Sequence, residues 1–154
     1  MISKEEWDMD IIDAKILEAL KHNGRSTASE ISKKVNLSIP AVSERIKKLE
    51  EANVIEQYTV KINREKMGYK LLAIIFVNID HAANIQHFRK SIIQLSEVIE
   101  CHHLAGAYDY MLKVLIEDTG KLEIFLSEKL KSIQGVQKSN TLIVLSTLKE
   151  ISNR

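Results

Sequence analysis

Apolar residues recur at helical spacing through the first fifty positions and crowd into strand-like runs after position 70. From Asp8 to His22, Ile11 or Ile12, Ile16, Leu17 and Leu20 keep the period of an amphipathic helix. Asp8, Asp10 and Asp13 stand in its opening turns, where negative charge suits the positive end of the helix dipole. Asn23-Gly24 stops it, with Gly24 expected to supply the positive φ of a helix end. Ile31 and Val35 form an i, i+4 pair on a second, short helix that Thr27 or Ser29 can cap. Asn36 tolerates the left-handed conformation that ends a helix, and Leu37 anchors the turn. Ser38 then caps a third helix, with Pro40 in its first turn, where a missing N–H costs nothing. Val42, Ile46 and Leu49 form its apolar stripe, and Ala52-Asn53 closes it.

Val54-Ile55 and Tyr58 to Ile62 read as two short strands of a hairpin, making a winged helix of residues 1–62. Residues 63–70 (NREKMGYK) are polar, contain Gly68 and lack a period; they are expected to be a linker, with at most one helical turn. Residues 71–154 change character. Leu71 to Asp80 reads as a strand, and Asn84 to Ser96 as a helix with Ile85, Phe88, Ile92 and Leu95 on one side. Val98 to Ala105 and Tyr110 to Glu117 read as strands joined by the turn Gly106-Ala107-Tyr108-Asp109. A helix capped by Thr119 runs to Ser132, Gly135 ends it, and Asn140 to Leu148 is the last strand. The fold class is therefore α+β: a winged helix-turn-helix followed by a ferredoxin-like βαββαβ domain, both helices on one face of its sheet. Leu71 to Val77 and Leu142 to Leu145 do not alternate as a half-wet antiparallel strand should. Both sheet faces must then be covered, and no remaining segment is long enough, so a second copy in a two-fold homodimer is expected.

Composition narrows the classes. With 154 residues, 45% hydrophobic and 28% charged, the chain reads as a globular protein of one or two small domains. Its net charge of +1 gives no basic bulk, and residues 1–62 hold ten Lys/Arg against eleven Asp/Glu. Any nucleic-acid face must be local: acidic residues gather before position 14, basic ones at Arg25, Lys33, Lys34, Arg45, Lys47 and Lys48. The lone cysteine excludes an intrachain disulfide and a cysteine zinc cluster. The polar, acidic start excludes a secretory signal, and the longest apolar run is too short to span a bilayer. A cytoplasmic protein with no membrane partner is expected.

The third helix has the makings of a recognition helix, with its capped N-terminus and a charged face turned away from the stripe. Ser38, Pro40, Ser43, Glu44, Arg45, Lys47 and Lys48 are the candidate contacts to double-stranded DNA. Arg45 or Lys47 suits guanine edges, while the others, with Arg25, Lys33 and Lys34, suit phosphates. The alternative for each lysine is a solvated surface charge. Cys101-His102-His103 puts two residues on one strand face and one on the other, too few for a closed metal site. No metal, cofactor or catalytic group is expected.

Several of these stretches together resemble the leucine-responsive regulator/AsnC (Lrp/AsnC, feast/famine) family. They are Asp8 through Asp13 leading into Ile16-Leu17 and Leu20; Asn23-Gly24-Arg25; Glu30-Ile31-Ser32; Leu37-Ser38; Glu44 through Glu50; Val54-Ile55; Tyr58-Thr59; and Gly106 through Tyr110. The resemblance covers nearly the whole chain. It implies a bacterial or archaeal transcription regulator, dimers often assembled into octamers, and amino-acid effectors bound between dimers. On that implication Gly106, Ala107, Tyr108 and Asp109 are the effector candidates, with Ser139, Asn140 and Thr141 at the start of the last strand as weaker ones. Gly106 lets a ligand approach the backbone, and Asp109 or nearby carbonyls suit its ammonium; Ala107 has no polar side chain where some relatives do. Two other classes stay open. One is a tetrapyrrole (sirohaem) decarboxylase-like enzyme on the same frame, with His102 and His103 facing a macrocycle carboxylate. The other is an architectural DNA-binding protein that senses nothing.

Overall fold

The structure, a computed structural model, describes residues Met9–Ile151. These form two compact units, residues 9–61 with Ile151 and residues 62–150. In the first, α1 (Ile11–His22), α2 (Ala28–Val35) and α3 (Ile39–Glu51) close around buried Ile16, Ala19, Ile31, Val42 and Leu49. Their limits follow from local hydrogen bonding. Asp10 caps α1 by accepting the N–H groups of Ile12 and Asp13, both at 2.8 Å; Asp8 lies outside the described residues. Of the two candidates, Thr27 caps α2, with Glu30 reaching back to the Thr27 N–H at 2.7 Å in a capping box. Asn36 ends α2 at φ 55°, and the Ser38 hydroxyl accepts the Ala41 N–H at 3.3 Å at the start of α3.

Two expectations fail here for backbone reasons. Gly24 does not supply the end of α1. Asn23 takes that place in an extended conformation, its side chain accepting the Arg25 N–H at 3.1 Å, a turn that needs no left-handed glycine. The hairpin after α3 does not form among the described residues. The N–H groups of Val54 and Ile55 both donate to the Leu49 carbonyl, at 2.9 and 3.1 Å, behind left-handed Asn53. Groups that would have paired in a strand cap the helix instead. Residues 56–63 continue without strand pairing, with Tyr58, Val60 and Ile62 more than half exposed. Tyr58 fastens this segment to α3 through a 2.8 Å hydrogen bond from its hydroxyl to Glu50 Oε1. Partial desolvation and that carboxylate push the phenol up to about 12.

The second unit opens with a short turn, Glu65–Met67, followed by strands β1 (Leu71–Ile79), β2 (Val98–His103), β3 (Tyr110–Ile116) and β4 (Val136–Ile143). They build one antiparallel sheet in the order β2-β3-β1-β4. Helices α4 (Ile85–Ile92) and α5 (Thr119–Ile124, widening into a π turn over Phe125–Leu130) bring Phe88, Ile92, Phe125 and Leu130 onto Ala73, Ile75, Val77, Leu112 and Val114. Helix α5 is capped by Asp118, which accepts the Lys121 N–H at 2.9 Å, and not by Thr119. The last strand starts four residues before Asn140 and ends at Ile143, since a strand runs only as far as its partner: Val136–Ile143 pairs with β1, and beyond it only the Val144 N–H reaches Leu72. Gly135 is required where it stands; at φ 95° a Cβ there would lie 2.4 Å from that of Asn84.

Burial alternates along β1 from Leu71 to Asn78 although its sequence does not. Leu71, Ala73, Ile75 and Val77 face the helices and are buried. Leu72, Ile74 and Phe76 lie on the other face with Met111, Leu115 and Leu142 and are only partly covered, Leu142 being 51% exposed.

Candidate DNA-contact and effector sites

Helix α3 is pinned by Val42 and Leu49, so Pro40, Ser43, Glu44, Lys47 and Lys48 are exposed together on its far side. Lys48 sits 3.1 Å from Glu44 and Lys47 3.6 Å from Glu51, both solvent-exposed i, i+4 pairs. Such a pair contributes about 0.3–0.5 kcal/mol, so either lysine can be drawn onto a phosphate at small cost. Ser38 is exposed, with its hydroxyl already accepting the Ala41 N–H; Arg25, Lys33 and Lys34 are exposed nearby in the chain, the two lysines in the last turn of α2. Arg45 departs from this group. Its Nη1 donates to Asp10 Oδ2 at 2.7 Å and to Asp13 Oδ1 at 2.8 Å, so the residue expected to read a guanine is turned back onto α1. Asp10 is held below the usual carboxylate range by the Asp13 N–H and by Arg45. No signal in the sequence marks this contact, which joins positions 32 and 35 residues apart.

In the second unit the turn over residues 106–109 is bound to the end of β1. The Asp109 carboxylate accepts the Ile79 N–H at 2.7 Å, the Asp109 N–H donates to Val77 O at 3.0 Å, and the Asn78 amide donates to Ala107 O at 3.0 Å. One oxygen of the carboxylate expected to meet an ammonium is therefore occupied by backbone. A Cβ on Gly106 would touch nothing among the described residues, so packing there does not require glycine. Beside the turn lies an open depression of about 560 Å³ lined by Asn78, Ala107, Tyr108, Gln137 and Lys138. The Tyr108 ring packs against Phe76, centroids 5.2 Å apart. Of the candidates, Ala107 and Tyr108 line the depression and the rest do not. Ser139 and Thr141 pair with Val77 and Ile75 on the helix-covered side, while Asn140 pairs with Phe76 on the open side. Asn78, Gln137 and Lys138 were missed because the last strand begins earlier than its apolar run; Lys138 comes opposite Asn78 only through that register.

His102 and His103 occupy opposite sheet faces, paired with Met111 and Tyr110. His102 lies 3.2 Å from Glu100, and His103 stacks on Tyr110, so the two cannot face one macrocycle carboxylate. Among the described residues no group of three His, Cys, Asp or Glu could hold a metal ion, and no helix is long and apolar enough to cross a membrane.

Two known families match separate stretches of the chain. The family described as "Winged helix-turn-helix DNA-binding" matches residues 9–56, and "Lrp/AsnC ligand binding domain" matches residues 72–153. The proline dehydrogenase transcriptional activator of Rhizobium radiobacter is 34% identical over 145 residues, 93% of each chain. The solved L-methionine complex of a Neisseria meningitidis transcriptional regulator superposes with a TM-score of 0.91 at 34% identity, covering 94% of this chain and 95% of that one. A feast or famine regulatory protein of M. tuberculosis, also complexed with L-methionine, gives 0.89 at 26% identity, covering 96% and 99%.

Proposed function

Because the chain belongs to the Lrp/AsnC family of DNA-binding transcriptional regulators, we propose that it binds double-stranded DNA through α3 as a homodimer and answers to a free amino acid. The observation that carries the DNA reading is the exposed row Ser43, Lys47 and Lys48 on a helix whose opposite side is buried and whose N-terminus is capped. A helix held this way offers its N-terminal residues to base edges and its lysines to phosphates. The test uses a duplex that the protein selects from a randomised pool. Lys47→Ala and Lys48→Ala are each expected to weaken binding to all duplexes and lower the slope of log K against log salt by about one. Unchanged slopes would remove both lysines from the interface.

The open sheet face supports the dimer. Lys113, its central cation and 18% exposed, is matched within the chain by Glu100 at 2.9 Å and Glu150 at 3.1 Å, and Glu150 also meets Arg64 at 2.8 Å. A second copy can cover Leu72, Ile74 and Phe76 without stranding a charge. Assembly beyond the dimer, to an octamer, is a question for light scattering with and without amino acid.

For the effector, the depression beside residues 106–109 offers the Lys138 ammonium to a carboxylate and the Tyr108 ring to an apolar side chain. L-methionine, the ligand of two structural relatives, is the first compound to try. At a hundred times its Kd a ligand stabilises the native state by about 2.7 kcal/mol, so a rise in melting temperature is expected, lost in Lys138→Ala. No rise with any common amino acid would favour the architectural reading.

A further inference from the structure

The contact between Arg45 and α1 explains more than the absence of one side chain from the DNA-facing row. Asp13 is 4% exposed, so it is a buried carboxylate with Arg45 as its ionic partner. Each carboxylate oxygen of the pair has a donor: Asp10 Oδ1 takes the N–H groups of Ile12 and Asp13, Asp13 Oδ2 takes the N–H of Asp10 at 3.2 Å, and Arg45 Nη1 closes the other two. The three side chains together carry a net negative charge. A phosphate drawn to this guanidinium would meet two carboxylates in direct contact with it, which argues against a DNA contact. Meanwhile Val42 and Leu49 hold α3 by apolar contacts along one stripe. Such contacts decide which side of α3 is buried, but being non-directional they leave the fine adjustment of its rotation to directional contacts. A hydrogen-bonded ion pair on the flank of the stripe, anchored on buried Asp13, supplies such a directional contact.

We infer that Arg45 is a positioning residue, which sets the rotation of α3 by tying it to the first turn of α1 through Asp10 and Asp13, and which makes no contact with DNA. The inference rests on the reading of α3 as the DNA-contacting helix. If that reading holds, the base-reading duty expected of Arg45 falls to residues of the exposed row, and Arg45 acts through them.

The experiment compares wild-type protein, Arg45→Met, Arg45→Lys, Asp13→Asn and the Arg45→Met/Asp13→Asn double variant in anisotropy titrations over a range of salt. Two duplexes are used: one selected by the wild-type protein from a randomised pool, and one of scrambled sequence. Folded active fraction is measured for each variant and used to normalise the titrations. Arg45→Met is expected to weaken binding to the selected duplex by about ten-fold, a typical coupling within one network, with less change on the scrambled one and the salt slope retained. Asp13→Asn shifts affinity in the same direction, the double variant is no worse than Arg45→Met, and Arg45→Lys, whose ammonium can still bridge two carboxylates, recovers most of the loss. A contact to DNA predicts the opposite sign for Asp13→Asn, because removing a competing anion would tighten binding. It also predicts a salt slope lower by about one in Arg45→Met for a phosphate contact. Either result overturns the inference, as does an equal loss on both duplexes, which a merely structural role would give. If the wild-type protein selects no sequence from the pool, the reading of α3 itself fails, and that outcome is distinct from the others.

Discussion

Leu49→Ala is expected to unfold the first unit and abolish DNA binding while residues 62–150 keep their own melting transition. Leu49 is fully buried in a core whose other buried members are Ile16, Ala19, Ile31 and Val42. Truncating a buried leucine costs about 2–5 kcal/mol, from lost transfer energy and the cavity left behind. A three-helix unit of this size has a stability of similar magnitude, because small domains bury a small fraction of their surface. Leu49 also lies on the helix whose outer face is proposed to contact DNA, so loss of its packing removes helix and interface together. Circular dichroism melts and a gel-shift titration, run on Leu49→Ala beside Leu49→Met, read the effect. The methionine variant keeps volume and is expected to lose less than about 1.5 kcal/mol. A Leu49→Ala protein that still binds the selected duplex as the wild type does would show that this core does not hold the helix.

The second large effect concerns the open face of the sheet. Phe76→Asp is expected to leave the second unit folded as a monomer. Phe76 lies on the face away from α4 and α5, flanked in register by Met111 on β3 and Asn140 on β4. In a two-fold dimer each copy buries one such residue, and an unpaired buried charge costs about 3–5 kcal/mol. That is at least a hundred-fold in the dimer dissociation constant. Analytical ultracentrifugation at micromolar concentration separates the outcomes. Phe76 also supports the Tyr108 ring, so Leu142→Asp, at a 51% exposed position on the same face, serves as a second variant that leaves the depression alone. Wild-type dimerisation in both variants would mean that this face is not the interface. If the face is the interface, monomers should bind a two-half-site duplex no better than one half-site, since two-fold spacing of recognition helices is lost.

The features that sequence made legible are those whose partners lie within a turn of the chain. A cap at Thr27 or Ser29, a cap at Ser38 and a left-handed turn at Asn36 are local arrangements, fixed by three or four residues; the structure gives the first to Thr27. The helical period of Ile16, Val42 and Leu49 and the order of strands and helices after position 70 follow from side-chain periodicity in the same way. A local pattern misleads where it competes with a backbone partner. Val54 and Ile55 have the side chains of a strand, yet their N–H groups were closer to a helix-end carbonyl. The apolar run after Asn140 suggested a strand there, yet β1 was available to pair only from Val136 to Ile143.

Sequence by itself thus determined the two-part α+β architecture, the apolar stripes of the helices, the capped helix with its lysines, and the family. Tertiary structure alone decided that Arg45 belongs to Asp10 and Asp13, that Asn78 and Lys138 come together beside Tyr108, and that Lys113 is neutralised by Glu100 and Glu150. The physical reason is one of range. Periodicity and capping are energies of neighbouring residues, whereas the partner of a charged side chain is set by which distant segments the packed core brings within about 3 Å of it.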